Sequence, residues 1–245
     1  MTVFKVVGAC SHFRNKTFLK EVNMSNDMQH TEVKFCGLTT IEDVREVNFL
    51  LPNYAGMVMF YPKSKRNLTP EQAEELLSSL SPKIHSVAVT VSPTMDEAKK
   101  LGKMGFEYLQ VHGTFDAALL KKSPLPLILA FNGLEDPEQK ESLAEALENP
   151  LVYGILFDAP SPGSGKTFNW AILPKKEELV GKDGMRKKMF LSGGLNPENV
   201  TSAIEAVHPD VVDVSTGIEG DQDPLNQEKK GKDPEKMREF MSKTF

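Results

Sequence analysis

Six side chains of types that move protons or bind anions are spread along this chain: Cys36, Arg66, His112, Asp158, Ser192 and Ser215. All but Arg66 close a short apolar run, where a strand would end and a loop begin; Arg66 lies in the loop after the second run. A cysteine and an aspartate so placed could act as base and acid. Their surroundings would have to shift both pKa values, because a free thiol is mostly protonated and a free carboxylate ionised at neutral pH. Three glycine-bearing stretches accompany them: Pro162-Gly163-Ser164-Gly165-Lys166-Thr167, Ser192-Gly193-Gly194-Leu195 and Ser215-Thr216-Gly217. Glycine lets backbone amides come close to an anion, so Gly163, Gly165, Ser192, Gly193, Gly194, Ser215, Thr216 and Gly217 are candidates for holding a phosphate. Gly165-Lys166-Thr167 is similar to the end of a nucleotide P-loop, but that motif needs a glycine at position 160, where Pro160 stands.

These residues share a site only if the intervening elements bring them together. From Glu32 onward, apolar runs alternate with amphipathic segments, the pattern of repeated βα units around a parallel sheet. Eight strands are predicted, at 33–36, 55–60, 84–91, 108–112, 125–131, 152–158, 188–192 and 211–215. Helix starts are marked by Thr39 or Thr40, Thr69-Pro70-Glu71, Pro93-Thr94-Met95-Asp96, Asp136-Pro137-Glu138 and Asn196-Pro197-Glu198, where proline or an acidic residue suits the first helical turn. Eight such units in this length fit a single (β/α)₈ TIM barrel of the α/β class better than an open doubly wound sheet. Closure would put the C-terminal strand ends on one face, the face on which barrels build their active sites. The loops after the seventh and eighth strands are where such barrels hold phosphate.

With 40% hydrophobic and 26% charged residues among 245, the chain has the composition of a globular protein with a sizeable core. A net charge of -5 argues against a nucleic-acid or acidic-membrane partner, both of which favour a basic face. The two cysteines, Cys10 and Cys36, have no metal-ligand or disulfide spacing, and no metal or other cofactor is expected. No apolar run approaches the ~20 residues of a membrane span, and a cytoplasmic protein is expected. The barrel is assigned to 31–245 and an N-terminal extension, open to disorder, to 1–30. Lys5, Arg14, Lys16 and Lys20, with no acidic residue among the first 20, give the extension the composition of a transit peptide. An accessory extension, or a start at Met24 or Met28, is preferred to organelle targeting.

Six motifs in order resemble those of the phosphoribosylanthranilate isomerase family. They are Lys34-Phe35-Cys36-Gly37-Leu38-Thr39, Phe60-Tyr61-Pro62-Lys63-Ser64-Lys65-Arg66, Gln110-Val111-His112-Gly113, Gly163-Ser164-Gly165-Lys166-Thr167-Phe168-Asn169-Trp170, Leu191-Ser192-Gly193-Gly194-Leu195-Asn196-Pro197-Glu198-Asn199-Val200 and Val212-Asp213-Val214-Ser215-Thr216-Gly217-Ile218-Glu219. Phe35, Asn169 and Thr216 depart from the family's usual aliphatic residue, aspartate and serine. The segment from Gly220 to Lys230 is longer and more polar than the family's before Gly231-Lys232-Asp233.

The resemblance implies a cofactor-independent Amadori rearrangement of N-(5-phosphoribosyl)anthranilate in tryptophan biosynthesis, on a monomer or homodimer whose partner is this small phosphorylated aminosugar. It makes Cys36 the base, Asp158 the acid and Arg66 the partner of the anthranilate carboxylate. His112 joins the site without a proton-transfer step. Asp213 either orients the substrate or makes a structural hydrogen bond at the rim. The histidine-pathway isomerase, which does similar chemistry, is expected to carry an aspartate where Cys36 stands. A non-catalytic phosphate-binding barrel would need neither Cys36 nor Asp158.

Overall fold

Val, Ile, Leu and Phe dominate the eight long strands because both faces of each are covered, one by the barrel interior and one by helices. The computed structural model describes residues 30–132, 134, 136–160, 167–220 and 231–244. Its strands are β1 (Glu32–Cys36), β2 (Tyr54–Met59), β3 (His85–Val91), β4 (Tyr108–His112), β5 (Leu127–Asn132), β6 (Val152–Asp158), β7 (Lys188–Leu191) and β8 (Val211–Val214). All pair in parallel with their sequence neighbours, and β8 returns to β1 with Val214 opposite Phe35, so the sheet closes. The open sheet is thereby excluded. A two-residue strand, Asn67–Leu68, adds to the outer end of β2.

The helices are α1 (Ile41–Leu50), α2 (Pro70–Ser79), α3 (Met95–Met104), α4 (Ala117–Lys122), α5 (Pro137–Leu147), α6 (Val200–Val207) and α7 (Pro234–Ser242). Thr40, Thr69 and Thr94 each cap their helix in a reciprocal capping box, where the threonine hydroxyl and the third helical side chain satisfy amides that the helix leaves orphaned. One expectation differs. Asn196-Pro197-Glu198 does not begin α6, which starts at Val200. The Asn196 side chain instead accepts from the Glu198 and Asn199 amides, and Asn199 Nδ2 donates to the Gly194 carbonyl at 2.9 Å, so this turn shapes the glycine loop before the helix can start. After β6, two 3₁₀ turns, Trp170–Ile172 and Lys176–Glu178, stand where a helix would.

The barrel floor is aromatic. Tyr54, Tyr108, Tyr153 and Phe190 meet edge-on or tilted, and Lys188 lies 5.7 and 5.8 Å from the Tyr54 and Tyr153 ring centres while pairing with Glu32. This plug fills the N-terminal end. Of the extension read at 1–30, residues 1–29, with Cys10, lie outside the described residues. No helix among the described residues is long and apolar enough to cross a membrane.

Candidate active site

Above that plug, at the C-terminal strand ends, lies a cavity of about 410 Å³. Cys36, Arg66, His112, Asp158, Ser192, Gly193, Gly194, Asp213, Ser215, Thr216 and Gly217 all line it. Gly163 and Gly165, in the loop after β6, lie outside the described residues. The structure adds residues that the sequence did not mark: Lys34 beneath the cavity, Gln110 and Asn132 on its wall, and Glu219 and Lys232 behind Arg66.

Lys34 and Cys36 are two residues apart on β1 and therefore point to the same side, into the barrel. Lys34 is fully buried, and its Nζ donates to both Asp213 oxygens at 3.0 Å. Burial opposes its charge, but Asp213 and then Cys36 outweigh that penalty and hold its pKa above the usual lysine value. Gly56 makes room for this pair: a Cβ there would lie 3.0 Å from Cys36 Sγ and 3.1 Å from Lys34 Nζ. Burial pushes the Cys36 thiol up; Lys34 and Lys232 pull it down, and Asp213 pushes it up. The cations thus limit a rise that desolvation alone would make larger.

Asp158 ends β6 and is 6% exposed. Burial lifts its pKa to about 6, with Asp213 adding to the shift and the Ala159 amide, which donates to Oδ1 at 2.8 Å, opposing it. This carboxyl keeps its proton further into the neutral range than a free aspartate does.

His112 is pushed down to about 4, first by burial and then by Lys34, so its imidazole is neutral. Gln110 Nε2 lies 2.8 Å from His112 Nε2. An amide nitrogen only donates, so Nε2 of the ring accepts and the ring proton sits on Nδ1. Among the described residues, His112 Nδ1, Gln110 Oε1 and Asn132 Oδ1 are buried without a partner. Such a wall suits a ligand rich in hydroxyls, because an unmet buried polar atom costs about 1–3 kcal/mol.

The loops after β7 and β8 close the other side. Gly193 and Gly194 have φ of +87° and +66°, and a Cβ on Gly193 would come within 2.5 Å of the Ala159 amide nitrogen. Only glycine fits there without strain. Among the described residues the Gly193 and Gly194 amides meet no protein acceptor. Lys232, buried behind this rim, donates from Nζ to the Ser215 carbonyl at 3.0 Å, while its own amide is fixed by Asp43 Oδ1 at 2.6 Å. Burial pushes its pKa down to about 8, against the pull of Glu219.

Arg66 lies over Gly37, whose φ of +76° and missing side chain let the arginine stem pass; a Cβ there would be 2.5 Å from Arg66 Cδ. Its Nε donates to Glu219 Oε1 at 2.5 Å and its Nη2 to Thr216 Oγ1 at 3.0 Å. The basic run Lys63-Ser64-Lys65-Arg66 is thus not uniformly solvated: the Lys65 side chain is 54% exposed and that of Arg66 14%.

The family model for N-(5'-phosphoribosyl)anthranilate isomerase matches residues 33–243. The chain is 38% identical over 218 residues to the N-(5'-phosphoribosyl)anthranilate isomerase of Aquifex aeolicus, covering 87% of this chain and 98% of that protein. It is 37% identical over 190 residues to that of Streptococcus mutans, covering 77% and 90%. The crystal structure of phosphoribosyl anthranilate isomerase from Thermotoga maritima superposes with a TM-score of 0.72 at 30% identity, covering 87% of this chain and 98% of that one. A phosphoribosyl anthranilate isomerase in complex with reduced 1-(o-carboxyphenylamino)-1-deoxyribulose 5-phosphate gives 0.70 at 29% identity, with the same coverage. The chain therefore belongs to the N-(5'-phosphoribosyl)anthranilate isomerase family and is an isomerase of tryptophan biosynthesis built on a (β/α)₈ barrel.

Proposed function

We propose that the chain rearranges N-(5'-phosphoribosyl)anthranilate with Asp158 as general acid and Cys36 as general base. The observation that carries this reading is their placement on one cavity with distinct surroundings: burial lifts the carboxyl to about 6, while a buried lysine stands beside the sulfur. Asp158 gives its proton to the furanose ring oxygen, the C1–O bond breaks, and the nitrogen lone pair forms an iminium at C1. Cys36 then removes the proton on C2, and those electrons form the C1–C2 double bond of an enolamine as the iminium electrons return to nitrogen. Ketonisation protonates C1. No outside oxidant or reductant enters, since C2 is oxidised as C1 is reduced.

Arg66 takes the anthranilate carboxylate in a guanidinium fork. His112, with its proton on Nδ1, donates to a sugar hydroxyl, and Asp213 holds Lys34 against the sulfur. The phosphate lies between the loops after β7 and β8, near Gly193, Gly194, Ser192, Ser215, Thr216 and Gly217. Backbone amides supply most of the attraction, so a chain of net negative charge can still bind an anion. The reading places the enzyme in the cytoplasm, as a monomer or homodimer; the Thermotoga maritima relative is dimeric.

Turnover of the synthetic substrate, followed by its anthranilate fluorescence, tests the reading, and Gly194→Val tests the substrate's orientation in the same assay. The wild type should turn over and be inhibited competitively by inorganic phosphate. A valine at a φ of +66° forces the glycine loop away, so KM should rise at least ~10-fold and phosphate competition should be lost. Unchanged phosphate inhibition in Gly194→Val would place the anion elsewhere.

A further inference from the structure

Arg66 does not stand alone at the rim. Glu219, which follows the 3₁₀ turn Thr216–Ile218, is the hub of three cations: Arg66 Nε at 2.5 Å from Oε1, Lys65 Nζ at 2.7 Å from Oε2, and Lys232 Nζ at 3.8 Å from Oε1. A guanidinium has two hydrogen-bonding edges, a side edge formed by Nε and one Nη, and an outer edge formed by the two Nη atoms. Here the side edge is occupied, Nε by Glu219 and Nη2 by Thr216. Among the described residues Arg66 Nη1 has no hydrogen-bond partner, and Arg66 lines the cavity. The stem is confined on its other flank by Gly37.

Taking Arg66 as the carboxylate partner, we propose that Glu219 is the residue that positions it: a side-on clamp that fixes the guanidinium plane and leaves the outer edge for the substrate's carboxylate. Glu219 does not cancel the attraction. One carboxylate faces three cations, so the rim stays net positive and favours a second anion. Prior fixation of the fork also reduces the side-chain entropy lost when substrate binds. The clamp acts on a carboxylated aromatic ring and leaves the sugar and phosphate ends untouched, which makes it a determinant of substrate specificity.

The test compares two probes, the reduced carboxyphenylamino-deoxyribulose phosphate and its phenyl counterpart without the carboxylate, as inhibitors of wild type, Glu219→Ala, Glu219→Gln and Arg66→Met. Glu219→Ala should raise KM and the inhibition constant of the carboxylated probe about 10-fold, with a far smaller change in kcat and in the binding of the phenyl probe. Glu219→Gln, which still accepts from Nε, should fall between wild type and alanine. Adding Glu219→Ala to Arg66→Met should cost nothing more, because both act through one interaction. Equal weakening of both probes in the two Glu219 variants would make Glu219 structural, and tighter binding of the carboxylated probe would make it a competitor for Arg66; either result overturns the proposal. If Arg66→Met itself does not distinguish the probes, the carboxylate reading of Arg66 is what fails, and the clamp falls with it.

Discussion

Asp158→Asn is expected to lose activity and gain stability. An asparagine keeps an oxygen for the Ala159 amide, which donates at 2.8 Å, but has no proton for the ring oxygen, so kcat should fall at least the ~10²-fold typical of losing a positioned acid. In wild type the unfolded carboxyl ionises near 3.8 and the folded one near 6. Across that window the folded protein keeps a proton that the unfolded chain has released. The stability from this group is complete below pH 4 and is lost as pH rises through 6, a change of about 3 kcal/mol at 1.36 kcal/mol per pKa unit. At pH 8 the variant should therefore melt above wild type, and the gap should close towards pH 4. A variant that melts lower at pH 8 would show that Asp158 pays no desolvation cost there.

The same pKa shapes the activity profile of the wild type. The productive form has Asp158 protonated and Cys36 ionised. Between the two pKa values a rise in pH makes thiolate as fast as it removes carboxylic acid, so this minor form stays constant. Activity should fall below about pH 6, where Asp158 is fully protonated and thiolate alone declines. The acid limb thus reports the acid's own pKa.

Lys34→Met should be the most damaging substitution outside the reacting pair. Removing one member of a buried ion pair leaves Asp213 uncompensated, at a cost of about 3–5 kcal/mol. It also removes the nearest cation from Cys36, so alkylation of that thiol by iodoacetamide at a fixed pH near 8 should slow. Lys34→Met with Asp213→Leu removes both charges and should recover most of the stability without the alkylation rate. Recovery of both would mean that Lys34 serves the fold alone; a wild-type alkylation rate in Lys34→Met would mean that it does not act on the sulfur.

The barrel was legible because the strands are apolar on both faces and the caps are local: Thr40, Thr69 and Thr94 announce helices through residues three positions away. Strand ends were legible for the same reason, and they carried Cys36, His112 and Asp158 to one cavity. Lys34 left a signal: it is the one charge of the predicted strand 33–36 and stands two residues before Cys36, hence on the same face. Glu219 and Lys232 stand within family-like stretches, but nothing in the sequence pairs them with Arg66. Arg66 and Glu219 are 153 residues apart and meet only because β8 closes against β1. The expected start of α6 failed because Asn196 and Asn199 shape the Gly194 loop, a competition between cap and turn that the residue types alone do not decide.

Turnover of N-(5'-phosphoribosyl)anthranilate by Cys36→Ser beside wild type is the most direct measurement of whether this strand end holds the base. Serine keeps the size and position but ionises far too weakly to take the C2 proton, even with Lys34 beside it. A folded variant with kcat at least ~10²-fold below wild type is the result expected of a lost general base, and kcat within a few-fold of wild type would remove Cys36 from the mechanism.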